Sequence, residues 1–134
     1  MINGIHINKY IRRWLTQSPD VTAIVPASSI VPLVASPVSQ PFITFQHGPV
    51  EPDYTKDGAV IDHVQVMIVC CSNDYEQSID IAAAVRSTIE YQQYEDDDIY
   101  IPIISIEEIT EDAVNDTYVQ QILVSFQIQS KNKN

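Results

Sequence analysis

Two adjacent cysteines, Cys70 and Cys71, are the residues of this sequence best suited to nucleophilic chemistry. They end an alternating apolar run and precede the segment SNDYEQ, which is typical of a helix start. A thiol at a helix N-terminus has a lowered pKa, because the helix dipole favours the thiolate. Alternation places Cys70 on the apolar face of a strand, where burial as a small hydrophobe is expected. Cys71 would face the other way, which makes it the candidate nucleophile.

Histidine and aspartate side chains near the middle of the chain suggest a second chemistry, a metal site. His47 and His63 flank a charged segment and could approach each other if their strands pair as a hairpin. Two histidines with one carboxylate, from Asp53, Asp57 or Asp62, form a ligand set found in metal centres. No HExxH or CxxC spacing supports such a site. Exposed strand and loop histidines are therefore the simpler interpretation.

Acidic clusters and glycines offer little further chemistry. The run at residues 95–98 lacks the central glycine and ligand spacing of an EF-hand, so a solvated turn is the simpler interpretation. The carboxylates at residues 107–112 would suit glycosidic hydrolysis, but no aromatic sugar platform accompanies them. Only three glycines occur, and they cannot form a phosphate-binding or dinucleotide fingerprint. We therefore predict no cofactor, no metal and no catalytic residue.

The elements that must position these residues follow from hydrophobic periodicity. Helices are predicted at residues 5–17 and 75–90, with a short helical turn between them near residue 20. The second helix would begin with a capping box, either Asn73 with Glu76 or Asp74 with Gln77. Strands are predicted at residues 30–34, 42–47, 60–71, 99–109 and 118–129, the fourth being interrupted by Pro102. Residues 48–58 have no apolar period and are predicted to form a long charged connection.

The predicted fold class is α+β, with a four- to five-stranded, mostly antiparallel sheet and two helices packed on one face. The inward stripes are Val64, Val66, Ile68 and Cys70 on one strand and Ile122, Val124, Phe126 and Ile128 on the last strand. The outer face would carry polar side chains, namely His63, Gln65, Gln127 and Gln129. Residues 1–134 are predicted to form a single domain with a polar tail at 130–134.

The charge of the chain limits its partners. Seven Lys and Arg against eighteen Asp and Glu give a net charge of −11. Such a surface lacks the cations that binding to nucleic acid or to an anionic membrane requires. No apolar run is long enough to span a membrane, and the N-terminal residues lack the pattern of a signal peptide.

Four segments follow one another along the chain: IRRWL, QPFITF, PDYTKDGAVIDHVQVMIVCCSNDYEQSIDIAAAVRSTIE and TEDAVNDTYVQQILVSFQI. In this order they resemble the tail completion proteins of tailed bacteriophages and prophages, a group that includes the tail terminators of long-tailed phages. The resemblance extends over most of residues 5–129, and YTKDG and VNDTYVQQ are most similar to Bacteroidales versions. The most specific part is a YxxxxxIAxxVR-like run formed by Tyr75, Ile81, Ala82, Val85 and Arg86.

The resemblance implies a structural virion protein and not an enzyme. Such proteins form a ring, typically a hexamer, at the head-proximal end of the tail tube, where the ring stops tube polymerisation and meets the head–tail connector protein. The implied partners are further copies of the chain, the major tail tube protein and that connector, with assembly in the host cytoplasm and no membrane. DNA would pass through the ring without specific binding, since a lumen of the same sign repels phosphates.

The charged connection is the candidate interface of such a ring. It carries charges of both signs and a tyrosine, a composition that suits a contact ordered on assembly. The candidate residues for contact with a neighbouring subunit or the tube are Glu51, Asp53, Tyr54, Lys56 and Asp57. Two alternatives remain open: a head-side neck connector, and a small cytosolic enzyme that uses Cys71 or a site at His47 and His63.

Overall fold

The computed structural model describes residues 1–32, 40–90 and 93–131. Its helices are α1 (Ile7–Thr16), α2 (Pro19–Thr22) and α3 (Tyr75–Ile89), and its strands are β1 (Ile30–Pro32), β2 (Phe42–Tyr54), β3 (Val60–Ser72), β4 (Tyr94–Glu95), β5 (Ile99–Val114) and β6 (Thr117–Ser130). Residues 33 and 34 of the first predicted strand, and residues 132–134 of the predicted tail, lie outside the described residues. Ser130 belongs to β6 and not to the tail.

The strands form one six-stranded sheet in the order β1-β2-β3-β6-β5-β4. β1 runs parallel to β2, and the remaining neighbours are antiparallel. The predicted α+β class is confirmed, but the predicted count of four or five strands is wrong. β1 has three residues and β4 has two, so neither is long enough to show a period of its own.

The hydrophobic core lies between the helices and one face of the sheet. The predicted inward stripes of β3 and β6 are buried, and Ile11 and Leu15 of α1 join Ile81 and Val85 of α3 in the same cluster. Two helices on one face are therefore confirmed, with the four-residue α2 beside them. No helix in the described part of the chain is long and apolar enough to cross a membrane.

Helix α3 begins at an aspartate cap. Asp74 Oδ1 accepts hydrogen bonds from the backbone N–H groups of Glu76, at 3.0 Å, and Gln77, at 3.5 Å. The side chain of Gln77 does not complete a capping box, because its Oε1 accepts from the hydroxyl of Ser72 at 2.7 Å. The helix start is thus tied to the end of β3, which fixes the strand-to-helix junction.

The N-terminal segment is held by a close backbone contact. Gly4 N–H donates to the buried carboxylate of Asp62 on β3, at 2.8 Å. A Cβ at residue 4 would lie 2.9 Å from both Cβ and Oδ2 of Asp62, so only glycine fits without a shift. From there α1 passes over the sheet, where Trp14 packs against Phe126 of β6 with ring centroids 6.4 Å apart.

Placing a charge at the centre of the core should unfold the domain. Val66→Asp or Phe126→Asp buries a carboxylate without a partner, since Val66 is 0% and Phe126 is 1% exposed. The expected loss is more than about 4 kcal/mol. Circular dichroism melts would measure it, with Gln65→Asp on the exposed face as the control. A soluble Val66→Asp protein that melts like the wild type would refute the core assignment.

The contact at Gly4 gives a second, smaller prediction. Gly4→Ala should lower the free energy of unfolding by about 1–3 kcal/mol, because the added methyl group forces Asp62 or the segment to move. Ile5→Ala is the control, since that side chain is 65% exposed and should change stability by less than about 0.5 kcal/mol. Equal stability of the two variants in urea titrations would show that the segment is loosely held.

Candidate interaction surface

The two histidines proposed as metal ligands lie on opposite faces of the sheet. β2 and β3 do pair as a hairpin, but His47 lies opposite Val66 whereas His63 lies opposite Glu51. Alternation along β3 therefore puts His63 on the outer face, and it puts Val66 with its partner position His47 on the core face. His47 Nδ1 lies 2.6 Å from the carbonyl oxygen of Gly48, and His63 Nε2 lies 3.8 Å from Asp53 Oδ2.

The three aspartates proposed as third ligands do not converge with the histidines. Asp62 is buried on the core face against Gly4, and Asp57 lies in the turn between β2 and β3. Among the described residues, no group of three His, Cys, Asp or Glu side chains is placed to hold a metal ion. The hairpin geometry thus separates the ligand set on which the metal hypothesis depends.

Both cysteines are free thiols and both are buried. Cys71 was predicted to face away from the apolar stripe of β3, and it is only 4% exposed. It lies between Phe42 of β2 and Val119 of β6, so apolar neighbours flank it on the outer face. Burial raises its pKa to about 11, and burial raises the pKa of Cys70 further. The lowered pKa expected beside a helix N-terminus does not occur, because burial disfavours the charged thiolate.

The acidic turn at residues 95–98 uses its carboxylates internally. Asp96 Oδ1 accepts from the N–H groups of Asp98, at 2.7 Å, and Ile99, at 2.9 Å, and Tyr94 donates to Asp96 Oδ2 at 2.8 Å. Desolvation raises the pKa of the Asp96 carboxyl, but these hydrogen bonds outweigh it and the net pKa is lowered. Glu95 forms an ion pair with Lys131. The segment contains a turn, which was predicted to be solvated, but Asp96 stabilises it through internal hydrogen bonds.

The predicted charged connection is largely a strand. β2 continues to Tyr54, so Glu51, Asp53 and Tyr54 belong to the strand, while Lys56 and Asp57 lie in a short turn that includes Gly58 at φ +83°. Pro49 and Pro52 are tolerated in this strand because, among the described residues, β1 pairs with β2 only as far as Phe45, and a missing N–H beyond that point costs little.

This projection, residues 48–60, is called the first arm. A bulge sets its direction, since Gly48 and Pro49 together lie opposite Gln65. All five predicted interface residues are exposed, and Tyr54 is 72% exposed. Their predicted contact with a partner is not tested by the fold, but their exposure is what such a contact requires.

A second projection was missed by the sequence reasoning. β5 and β6 extend together as a hairpin over residues 107–121, called the second arm, with Asn115 and Asp116 as its turn. Both turn residues have positive φ, 49° and 63°, which matches the two-residue turns that best join twisted strands. The signal was present in the Asn-Asp pair between the last two predicted strands.

Hydrogen bonds hold the second arm against the start of α3. Tyr75 donates its hydroxyl to Glu111 Oε2 at 3.0 Å, and Gln120 Nε2 donates to the same oxygen at 3.0 Å and to Ser78 Oγ at 3.4 Å. The hydrogen bond to Glu111 raises the pKa of Tyr75. The ring of Tyr75 also meets that of Tyr118 edge-on at 5.2 Å. The arm is therefore a positioned feature of the fold.

The outer face of the sheet forms an open trough between the two arms. Its volume is about 380 Å³, and its floor includes the predicted outer-face residues His63, Gln65 and Gln127. Glu51 lines one wall and Glu107 lies on the β5 side. Amide, hydroxyl and carboxylate groups are mixed there with apolar side chains such as Ile103, without the paired nucleophile and base that a hydrolytic site needs. The trough is a mixed polar and apolar surface, and the distinctive features of the molecule are its two arms.

These features define a class of protein: a small α+β domain whose functional candidates are projecting surfaces and not a reactive pocket. A model of the family described as "Tail completion protein gp17" matches residues 9–129. The chain belongs to this family and is a structural protein of a phage-like tail. The resemblance predicted from the four segments is thereby confirmed.

The fold is also seen in a solved structure titled "Virion of native gene transfer agent (GTA) particle". A chain of that particle superposes with a TM-score of 0.73 at 11% sequence identity. The alignment covers 92% of this chain and 94% of that chain. No curated protein matches the sequence. At this identity the likeness shows a shared fold over nearly the whole length.

Burial of Cys71 predicts an unreactive thiol. With a pKa of about 11, the native thiol should react with a disulfide reagent at pH 8 about a hundredfold more slowly than the unfolded chain. Because the folded state holds the proton more tightly, the thiol's stabilisation is present below its ordinary pKa of 9.0 and is lost as pH rises toward about 11. Fast labelling of Cys71 in the native protein at pH 7 would contradict the prediction of an unreactive thiol. Loss of tails from a folded Cys71→Ala variant would also contradict it.

Proposed function

We propose that the chain forms a ring at the head-proximal end of the tail tube. The ring ends tube polymerisation and provides the surface to which the head–tail connector protein joins. The observation that supports this most directly is the placement of two unlike arms at opposite ends of one rigid sheet. The family to which the chain belongs supplies the setting, a phage-like tail.

The separation of the arms follows from strand pairing. At one end of the sheet Ile61 pairs with Gln129, and the tip of the first arm, residues 54–60, projects beyond this pair. At the other end Ser72 pairs with Tyr118, and the tip of the second arm, residues 114–117, projects beyond that pair. The intervening part of β3 spans about 36 Å at about 3.3 Å per residue. One copy can therefore contact different neighbours at its two ends.

Ending a polymer requires two faces that differ. One face must resemble what a tube subunit offers, and the other must not accept a further tube subunit. The arms differ in this way, since the first carries Tyr54, Lys56 and three carboxylates while the second is uniformly acidic. We assign the first arm, through Glu51, Asp53, Tyr54, Lys56 and Asp57, to contact with the tube or an adjacent copy.

The charge of the chain suits a channel for DNA. Six copies of a chain with a net charge of −11 form a strongly acidic ring, and a lumen of that sign repels phosphates so that the genome slides without binding. We propose the acidic turn at residues 95–98 as a lumen candidate, because Asp97 and Asp98 are exposed there.

Electron microscopy of purified tails tests the proposal. Tails should carry a ring of this protein at their upper end, and particles lacking the chain should have tubes of uncontrolled length. A ring found on the isolated head instead would assign the chain to the neck, as the head-side connector alternative. Absence of the chain from both neck and tail would refute the proposal.

Substitutions in the first arm test its role in that contact. Tyr54→Ser with Lys56→Glu should leave the melting temperature nearly unchanged, because both side chains are exposed, with a stability change below about 0.5 kcal/mol. The same variant should cap fewer tails and give a broader distribution of tail lengths in micrographs. Tyr100→Ser, on an exposed tyrosine outside the arm, is the control. Tails of normal length and occupancy would remove the first arm from the interface.

A further inference from the structure

The charges of this chain are separated along its sequence. Residues 1–19 contain Lys9, Arg12 and Arg13 but no Asp or Glu. Residues 87–130 contain no Lys, Arg or His, although the second arm alone carries Glu107, Glu108, Glu111, Asp112 and Asp116. An acidic protein thus keeps one basic segment, and the fold determines where that segment lies.

The basic segment presents a stripe on the solvent side of α1. Lys9, Arg12 and Thr16 follow one another at spacings of three and four residues, so they share one face of α1, and Ile5 lies in the 3-10 turn directly before this helix. Ile5 is 65% exposed, and Lys9 and Arg12 are exposed. Arg13 lies on the flank, with its guanidinium 5.1 Å from the centre of the Tyr10 ring. The name α1 stripe is used below for Ile5, Lys9, Arg12 and Thr16.

The α1 stripe lacks ionic partners in the described part of the chain. The ion pairs there are His63 with Asp53, Arg86 with Glu90 and Lys131 with Glu95. None of them involves Lys9 or Arg12.

The second arm is the matching acidic surface. Glu108 and Asp112 are exposed on the same outward side of β5, and Asp116 is exposed at the turn. None of the three takes part in an ion pair within the described residues. Val114, which is 52% exposed, adds an apolar side chain near the tip. Like the α1 stripe, the arm therefore combines unpaired charge with exposed apolar area.

The two surfaces lie too far apart to meet within one chain. The second arm turns at Asn115, just before β6, whereas α1 packs over Phe126 near the end of β6. The nine residue steps along β6 from Thr117 to Phe126 separate the turn from this contact by about 30 Å. Glu108 and Asp112 lie closer along the strand, but they are on the outer face of the sheet, whereas α1 packs on the core face. The rigid sheet between them prevents folding back, so any pairing of the two surfaces joins different copies.

We propose that each surface binds a second copy of this chain, with the α1 stripe of one copy lying against the second arm of the next. This inference rests on the proposed ring and names the contact that builds it. The contact is head-to-tail, because different patches of each subunit meet, and repetition with rotation closes such contacts into a ring. Opposite charges orient the approach, while Ile5 and Val114 contribute apolar area.

Cross-linking of an engineered cysteine pair tests the contact. A chain with Ile5→Cys and Val114→Cys is treated with a short bis-maleimide, both as purified protein and in purified tails. Because the native cysteines are buried and the two new thiols are far apart in one chain, we expect a ladder of covalent oligomers on denaturing gels. The single Ile5→Cys variant is the control and should give no ladder. Monomer alone from both preparations would overturn the proposal.

Charge reversal in the same cysteine background tests the chemistry. Lys9→Glu with Arg12→Glu should lower the ladder yield at least tenfold, and so should Glu108→Lys with Asp112→Lys. The chain carrying all four reversals should recover the yield, since its acidic stripe then meets a basic arm. Asp20→Lys with Asp97→Lys reverses two exposed charges elsewhere and should not lower it. A ladder insensitive to reversal, or a folded fourfold variant that fails to recover, would refute the pairing.

The location of the protein is measured separately from the contact. A ring in tails without any ladder removes this contact and leaves the proposed function standing. A ladder from purified protein, with no ring in tails, keeps the contact and removes the proposed function.

Discussion

The antiparallel pairing of β3 with β6 is the constraint on which the rest of this structure depends. It runs without a bulge from Ile61 opposite Gln129 to Ser72 opposite Tyr118. Both strands alternate between core and outer face, so a shift of one residue in their pairing would expose their buried apolar side chains to solvent. The flanking strands β2 and β5 contain the bulges, and they adjust to the central pair. Because the β3–β6 pair is long and has no shift in register, the tips of the two arms lie at opposite ends of the sheet.

Much of this fold could be predicted because its central elements bury one face. Clean alternation identified β3 and β6, and the polar start with a helical period identified α3. The arms were missed for the opposite reason, since strands exposed on both faces leave no apolar period. Pro102 further suggested a break, although it lies at a bulge where a donor is not needed. β4 was missed because pairing, and not local sequence, defines so short a strand.

The candidate chemistry was located correctly in sequence but misjudged in space. Cys71 does face away from the core stripe, yet neighbouring strands cover it, a tertiary effect that alternation cannot show. His47 and His63 do flank a hairpin, yet their positions fall on opposite faces. In both cases the register between strands decided the outcome. The thiols are therefore buried in the packing of the sheet, and the sheet separates the histidines. The surface features that remain are shape, exposed tyrosine and separated charge.

Charge separation would allow so acidic a chain to assemble with further copies, as proposed. In physiological salt, interactions between exposed charges are screened beyond about 8 Å, so the net charge of each copy contributes little repulsion across a subunit. Pairs brought into contact are screened much less, especially where apolar neighbours exclude water. A few basic residues gathered on α1 can therefore determine which surfaces meet, while the many dispersed carboxylates act mainly on a polyanion passing close by. By the same reasoning, a basic residue on the second arm would be unfavourable, because it would weaken the proposed contact without stabilising the fold. The absence of Lys, Arg and His from residues 87–130 is the pattern that such a contact would select.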